Sequence, residues 1–203
     1  MRLGCFGIFI AIAMLWGGGQ MTYVGITNRE PTEVSIDELI KIKPSAKWLK
    51  VTDGRIDFLN CVYQESITGE PKELYIPIVS KESDDEEVHV IYHTEEADYF
   101  ETFKKLQAIG NDEELSEGEA ILKIAEMSEK LFEEKDVMGL VEFGIDSDSG
   151  DDEARGLFEN LAEGAIMIEA GEKPSLGAGI ALLVVGLGIS AFMVRGMLSR
   201  ESE

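Results

Sequence analysis

Cysteine is nearly absent: 203 residues contain only Cys5 and Cys61. Cys5 lies in an apolar N-terminal stretch and Cys61 in the polar body, so a bridge would have to join two environments. No disulfide framework exists, and the body must stand on packing alone. A single Cys61 inside an apolar run reads as a small buried hydrophobe rather than a nucleophile. Histidine is equally scarce. His89 and His93 are the only two, and both fall in "VHVIYHT", a strand-like run. On a strand, residues four apart share a face but stand about 13 Å apart at roughly 3.3 Å per residue, too far to grip one ion. Both are expected on the more polar face, with no metal role.

Positive charge is the third shortage. Lys and Arg number 18 against 40 Asp and Glu, a formal charge of −22. Fifteen of those bases and 38 of the acids fall between Gln20 and Ser175, giving that segment about −23. A phosphate backbone is bound by clustered Lys and Arg, so nucleic acid is not an expected partner, and an anionic lipid surface would repel this segment. The charge suits cations or basic proteins, but without a cluster it reads mainly as a means of staying soluble or as a mark of a salty habitat.

Enzyme signatures are missing as well. No glycine-rich phosphate loop, no G-x-S-x-G elbow and no Cys or His pair with ligand spacing occurs. Carboxylates are so common that some close pair is inevitable, and none stands in an obvious apolar pocket that would shift its proton affinity. The acidic stretch Asp146 to Glu153 invites a calcium reading. Counted from Asp146, however, glycine falls fifth, Asp151 sixth and Leu157 twelfth, where an EF-hand needs an oxygen ligand, glycine and glutamate. A helix from about Gly150 capped by Ser149, with Asp151, Asp152 and Glu153 at its positive end, is the plainer account. No catalytic, cofactor-binding or metal residue is therefore expected. A membrane-bound hydrolase using carboxylates or a bound cation is the rival reading.

What the chain does have is apolar length. Leu176 to Val194 runs nineteen residues without an ionisable side chain, close to the roughly 30 Å hydrocarbon core of a bilayer at about 1.5 Å per residue. Only Ser190 interrupts it, and Arg195 and Arg200 follow where cations can reach headgroups. Leu3 to Trp16 is a shorter version, extended by Gly17 to Gly19, and suits either a retained transmembrane helix or a signal peptide cleaved after Gly19. These two stretches are the expected contacts with the bilayer. Small residues four apart, Gly7 with Ala11, Gly177 with Ala181 and Gly186 with Ser190, would let spans approach closely.

Topology follows from the flanks. With Arg2, Arg195 and Arg200 inside against Arg29 and Lys173 outside, three bases oppose two, which together with the signal-like start places the middle segment outside the cytoplasm. A sensor acting through a partner is a further alternative, because little chain follows Val194 to carry a cytoplasmic output.

The body alternates strand and helix signals. "MTYVGI" reads as a short apolar start; "REPTEVSIDELIKIKP" as an extended piece and a brief helix capped by Ser35 and ending before Pro44. Trp48 to Thr52, the turn Asp53-Gly54, and Arg55 to Tyr63 spell a β-hairpin. "KELYIPIVS" is a strand with Leu74, Ile76 and Ile78 on one face, and Pro77 suggests an edge or bulge. A helix capped by Thr94 should carry Tyr99, Phe100, Phe103 and Leu106 on one side and stop at Gly110. A second should align Ala120, Ile124, Met127 and Leu131. "DVMGLVEFGI" and "AIMIEAG" should be strands. These signals predict an α+β protein. A single mixed domain over residues 20–175, of five to seven strands and three or four helices, is flanked by an N-terminal helix or signal peptide at 1–19, a transmembrane helix at 176–197 and a short tail at 198–203. The function this implies is non-catalytic interaction or scaffolding at a membrane surface, with a protein partner.

Overall fold

The computed structural model describes residues 2–42, 44–65, 71–81, 87–112, 114–143 and 158–201. The Asp146 to Glu153 loop and the helix expected from Gly150 lie outside them. The protein is mixed α+β, with eight strands and six helices among the described residues. It divides into two compact units, residues 31–172 and the pair of segments 1–30 and 173–203.

In chain order, α1 (Arg2–Thr27) precedes β1 (Thr32–Ser35), α2 (Ile36–Lys41), β2 (Trp48–Thr52) and β3 (Gly54–Ile56). A single 3₁₀ turn at Phe58–Asn60 leads to β4 (Val62–Glu65), β5 (Pro71–Ser80) and β6 (Val88–Thr94). Then come α3 (Ala97–Gly110), α4 (Glu117–Glu126), α5 (Ser128–Leu131), β7 (Val137–Phe143), β8 (Leu161–Ala170) and α6 (Leu176–Glu201). Local chemistry explains several boundaries. The Ser35 hydroxyl accepts from the Glu38 amide at 3.3 Å, capping α2 as expected. Ser116 and Glu119 form a reciprocal capping box that starts α4. Thr94 does not cap α3 directly: its hydroxyl accepts from the Glu96 amide at 3.1 Å, and the helix begins at Ala97.

All eight strands join one sheet in the order β1-β2-β7-β8-β6-β5-β3, with β4 also on β5. Pairs β1–β2 and β6–β8 are parallel and the others antiparallel. The order corrects the expected hairpin. β2 already has β1 on one side and β7 on the other, while β3 pairs with β5 at the far end of the order. A two-residue hairpin of this kind needs left-handed backbone at both turn residues, and only Asp53 adopts it, at φ 59°. The chain therefore turns a corner instead of reversing. Because one residue separates β2 from β3, the sheet must curl until its far end returns to β2. The Ile56 amide, donating to the Glu133 carbonyl at 3.0 Å, fastens that seam.

The same order relocates Pro77. β5 is interior, with β6 on one side and β3 and β4 on the other. The Pro77 carbonyl accepts from Asp57 at 2.9 Å on the latter side. Amide and carbonyl of one strand residue point the same way, so the missing N–H faces the gap between β3 and β4, where the 3₁₀ turn interrupts the ladder. The expected second strand, Arg55 to Tyr63, is thus two short strands around a turn, which raises the count to eight.

The inner face of the sheet holds the main core. Leu49, Val51, Leu74, Ile76 and Ile168 are fully buried there. α2 contributes Ile36 and Leu39, α3 Tyr99 and Phe103, and α5 Leu131. The α3 stripe is as expected. The second helix breaks at Met127 into α4 and α5, and α4 itself buries no residue fully.

The other unit is a helix pair. Gly7 faces Met193, Gly186 faces Met14 and Leu15, Gly18 faces Leu182 and Leu183, Gly179 faces Thr22, and Gly25 faces Leu176. Rising numbers in one helix meet falling numbers in the other, so α1 and α6 run antiparallel. A Cβ at Gly18 would stand 2.8 Å from the Leu183 amide nitrogen, and one at Gly179 2.6 Å from that of Thr22. Glycine is what permits this approach. Phe9 and Trp16 are each 72% exposed and Phe192 79%, so the pair has an apolar exterior. Phe6–Thr27 and Leu176–Arg195 are each long and apolar enough to cross a membrane. α1 thus takes in Met21 to Ile26, which read as the start of the body.

Candidate functional site

On the outer face of the sheet, register brings Tyr75 of β5, His93 of β6 and Glu169 of β8 into one cross-strand row. Glu73, two residues before Tyr75, shares that face. His93 Nδ1 lies 2.6 Å from a Glu169 carboxylate oxygen. Its Nε2 is 3.5 Å from Glu73, near enough for charge attraction but not aligned as a hydrogen bond. Tyr75 stacks on the imidazole with ring centres 4.7 Å apart, and its hydroxyl donates to Glu73 at 3.1 Å. Lys72 pairs with the other Glu73 oxygen.

The electrostatics follow from this packing. Burial works against a charge on His93, but the Glu169 hydrogen bond and the charges of Glu169, Glu73 and Glu95 outweigh it and hold the imidazole above its ordinary value. Glu73 is held below the usual carboxylate range, first by Lys72 and then by Tyr75, against its partial burial. The two carboxylates approach opposite ring nitrogens, so one ion could not be held by all three groups without turning the ring. Nε2 is also closed off from solvent, which leaves no nitrogen open to a substrate. His89, on the same strand, does not join this cluster, in keeping with the spacing.

Two clefts flank other parts of the domain. One, of about 580 Å³, lies between α3 and α5 and is lined by Glu96, Tyr99, Glu129, Glu133 and Lys135 among others. Its floor is occupied by the chain itself: Lys135 donates to the Tyr99 hydroxyl at 2.9 Å and sits 3.8 Å from Glu96. The other, of about 550 Å³, includes Cys61, Asn60, Val88 and Phe158. Burial pushes the Cys61 thiol up to about 12, so at neutral pH it is a packed hydrophobe rather than a thiolate. No group of three or more His, Cys, Asp or Glu side chains is arranged for a metal ion among the described residues.

The sequence puts both histidines on one strand face but does not disclose the Glu73–His93–Glu169 row. Nothing local links residues 73, 93 and 169; the row exists only once the order β5-β6-β8 is known. The chain matches no protein-family model, no curated protein and no solved structure.

Proposed function

We propose that this protein holds an acidic, non-catalytic α+β domain at a membrane surface, outside the cytoplasm, for interaction with or scaffolding of a protein partner. The observation that carries the reading is the antiparallel α1–α6 pair, whose apolar exterior and glycine-lined seam suit a two-span hairpin better than a soluble fold. The packed seam also favours a retained α1 over a cleaved signal peptide. In such a hairpin the Thr27 end of α1 and the Leu176 end of α6 emerge on one side, so residues 31–172 are tethered at both ends. A non-catalytic role is supported by the state of two groups that chemistry could use: His93 Nε2 is closed off beside a carboxylate, and the half-buried Cys61 thiol is held protonated at neutral pH.

Protease added to intact cells or spheroplasts tests the placement. Cleavage within residues 31–172 before lysis supports it. Cleavage only after lysis reverses the topology. Chemical cross-linking of the full chain in its membrane, followed by capture, then tests for a stoichiometric protein partner. A sensor working through such a partner is the second reading, and the charged row around His93 is what favours it.

A further inference from the structure

A neutral imidazole carries one N–H and one bare lone pair, so it can satisfy an acceptor on one nitrogen only. His93 has a carboxylate oxygen at both, Glu169 at 2.6 Å from Nδ1 and Glu73 at 3.5 Å from Nε2. A neutral ring could make the Nδ1 bond alone; a second proton, on Nε2, adds charge attraction to both carboxylates. We propose that His93 is a proton-operated latch that fastens the C-terminal end of β8 to β5 and β6, tight when the ring is charged and loosened when it is neutral.

The surroundings leave no substitute for that proton. β5 offers Lys72, Glu73 and the Tyr75 hydroxyl; β8 offers Glu169; the turn after β6 offers Glu95. The positions opposite Glu73 on β4 and opposite Glu169 on β7 are Gln64 and Leu140, both uncharged. Lys72, the one base in the group, is already engaged with Glu73. When the ring gives up its second proton, Nδ1–H still donates to Glu169 but without the charge that strengthened the bond, and the bare Nε2 faces the Glu73 carboxylate. The charge attraction that spanned three strands is then lost, and the grip on Glu169 is weakened rather than broken.

Glu169 is the next-to-last residue of β8, followed by Ala170 and by Gly171 at φ 69°. The strand end that the latch grips is therefore the one from which the chain continues to α6, five residues after Gly171. The latch itself does not depend on α6 crossing a membrane. Only its use as a signal rests on the tethered-domain reading.

The sign is fixed by the direction of the shift. A histidine raised on folding contributes its full stabilisation below the ordinary value of about 6.5, and that contribution disappears as pH climbs through the folded value. The latch is thus tight in mild acid and loosens toward alkaline pH.

The experiment uses the full chain in detergent micelles, with nitrogen-15 labelled histidine. With only two histidines, NMR resolves both, and His89 serves as an internal comparison. His93 is expected to titrate above about 6.5, with both nitrogens protonated on the acid side, and Glu73→Gln should shift its midpoint downward. Hydrogen exchange of the Ile168 to Ala170 amides, corrected for intrinsic rates, should lose protection over the same range. The loss should be about tenfold for each pH unit by which the folded midpoint exceeds the open one. Titration of wild-type His93 at or below the ordinary value, or β8 protection that stays flat while His93 titrates, overturns the proposal. Neither result bears on protease accessibility, so failure of the latch and failure of the tether are distinguishable.

Discussion

Gly139 on β7 gives the sharpest stability prediction. It pairs with Ala170 of β8, and a Cβ placed on it would lie 1.9 Å from the Glu169 carbonyl oxygen and 2.9 Å from Cγ2 of Ile168. A carbon normally keeps ~3.5 Å from its neighbours, so Gly139→Ala forces the Glu169 backbone back by about 1.5 Å. A backbone carbonyl in the middle of a sheet cannot swing aside as a flexible side chain would. Moving it pulls the ladder bonds of this stretch beyond hydrogen-bond range, and each buried group left unpaired costs about 1–3 kcal/mol. Together with overpacking of the core, the expected loss is about 2–4 kcal/mol, or a fall in Tm of roughly 10 °C for a domain of this size. The assay is thermal unfolding of the full chain in detergent, followed by near-ultraviolet circular dichroism. Gly118→Ala is the control. It lies within α4 with nothing near its would-be Cβ, and should be neutral or raise stability by up to ~1 kcal/mol. If Gly139→Ala melts with the wild type, the β7–β8 register and the account of the sheet are wrong.

Other outcomes follow from the same physics. Gly18→Leu or Gly179→Leu should part α1 from α6, seen as a longer and broader distance by pulsed electron resonance between labels at exposed Trp16→Cys and Val184→Cys in a background lacking Cys5 and Cys61; an unchanged distance refutes the glycine seam. Ser116→Ala removes one half of a capping box on a helix with no fully buried side chain, and should cost about 1 kcal/mol, seen first as faster amide exchange in α4. Glu73, held low mainly by Lys72, contributes stability above the ordinary value of about 4.3 that is lost as pH falls through its folded value. Glu73→Gln should therefore flatten the acid limb of the stability curve, and an identical limb contradicts that assignment.

Elements were more legible in this sequence than their arrangement. The Ser35 cap, the alternation of Leu74, Ile76 and Ile78, and the apolar stripe of α3 are local patterns set by short-range sterics and burial, and each appears where its period placed it. Asp53-Gly54 shows where local reading stops. The pair does mark a turn, with Asp53 left-handed, but whether the chain reverses or turns a corner depends on which strands already flank β2. One of these, β7, lies more than eighty residues away. Pro77 is a similar case: its missing donor suggests an edge or a bulge, and the strand proves interior, with Pro77 facing the break in the ladder that the 3₁₀ turn at Phe58–Asn60 creates. The His93 row was illegible for the same reason, being a product of strand order rather than spacing. The reach of α1 through Thr27 was obscured by Gly17 to Gly19, Gln20 and Thr22. In water these residues would weaken a helix, whereas here a second helix packs against Gly18 and Thr22.

The tethered domain requires α1 and α6 to enter lipid. The direct measurement is an alkaline carbonate wash of membranes carrying the full chain, followed by flotation on a density gradient. Recovery of the chain with the floated vesicles is the predicted result; its release into the aqueous fraction would contradict the membrane hairpin and return both helices to the interior of a soluble assembly.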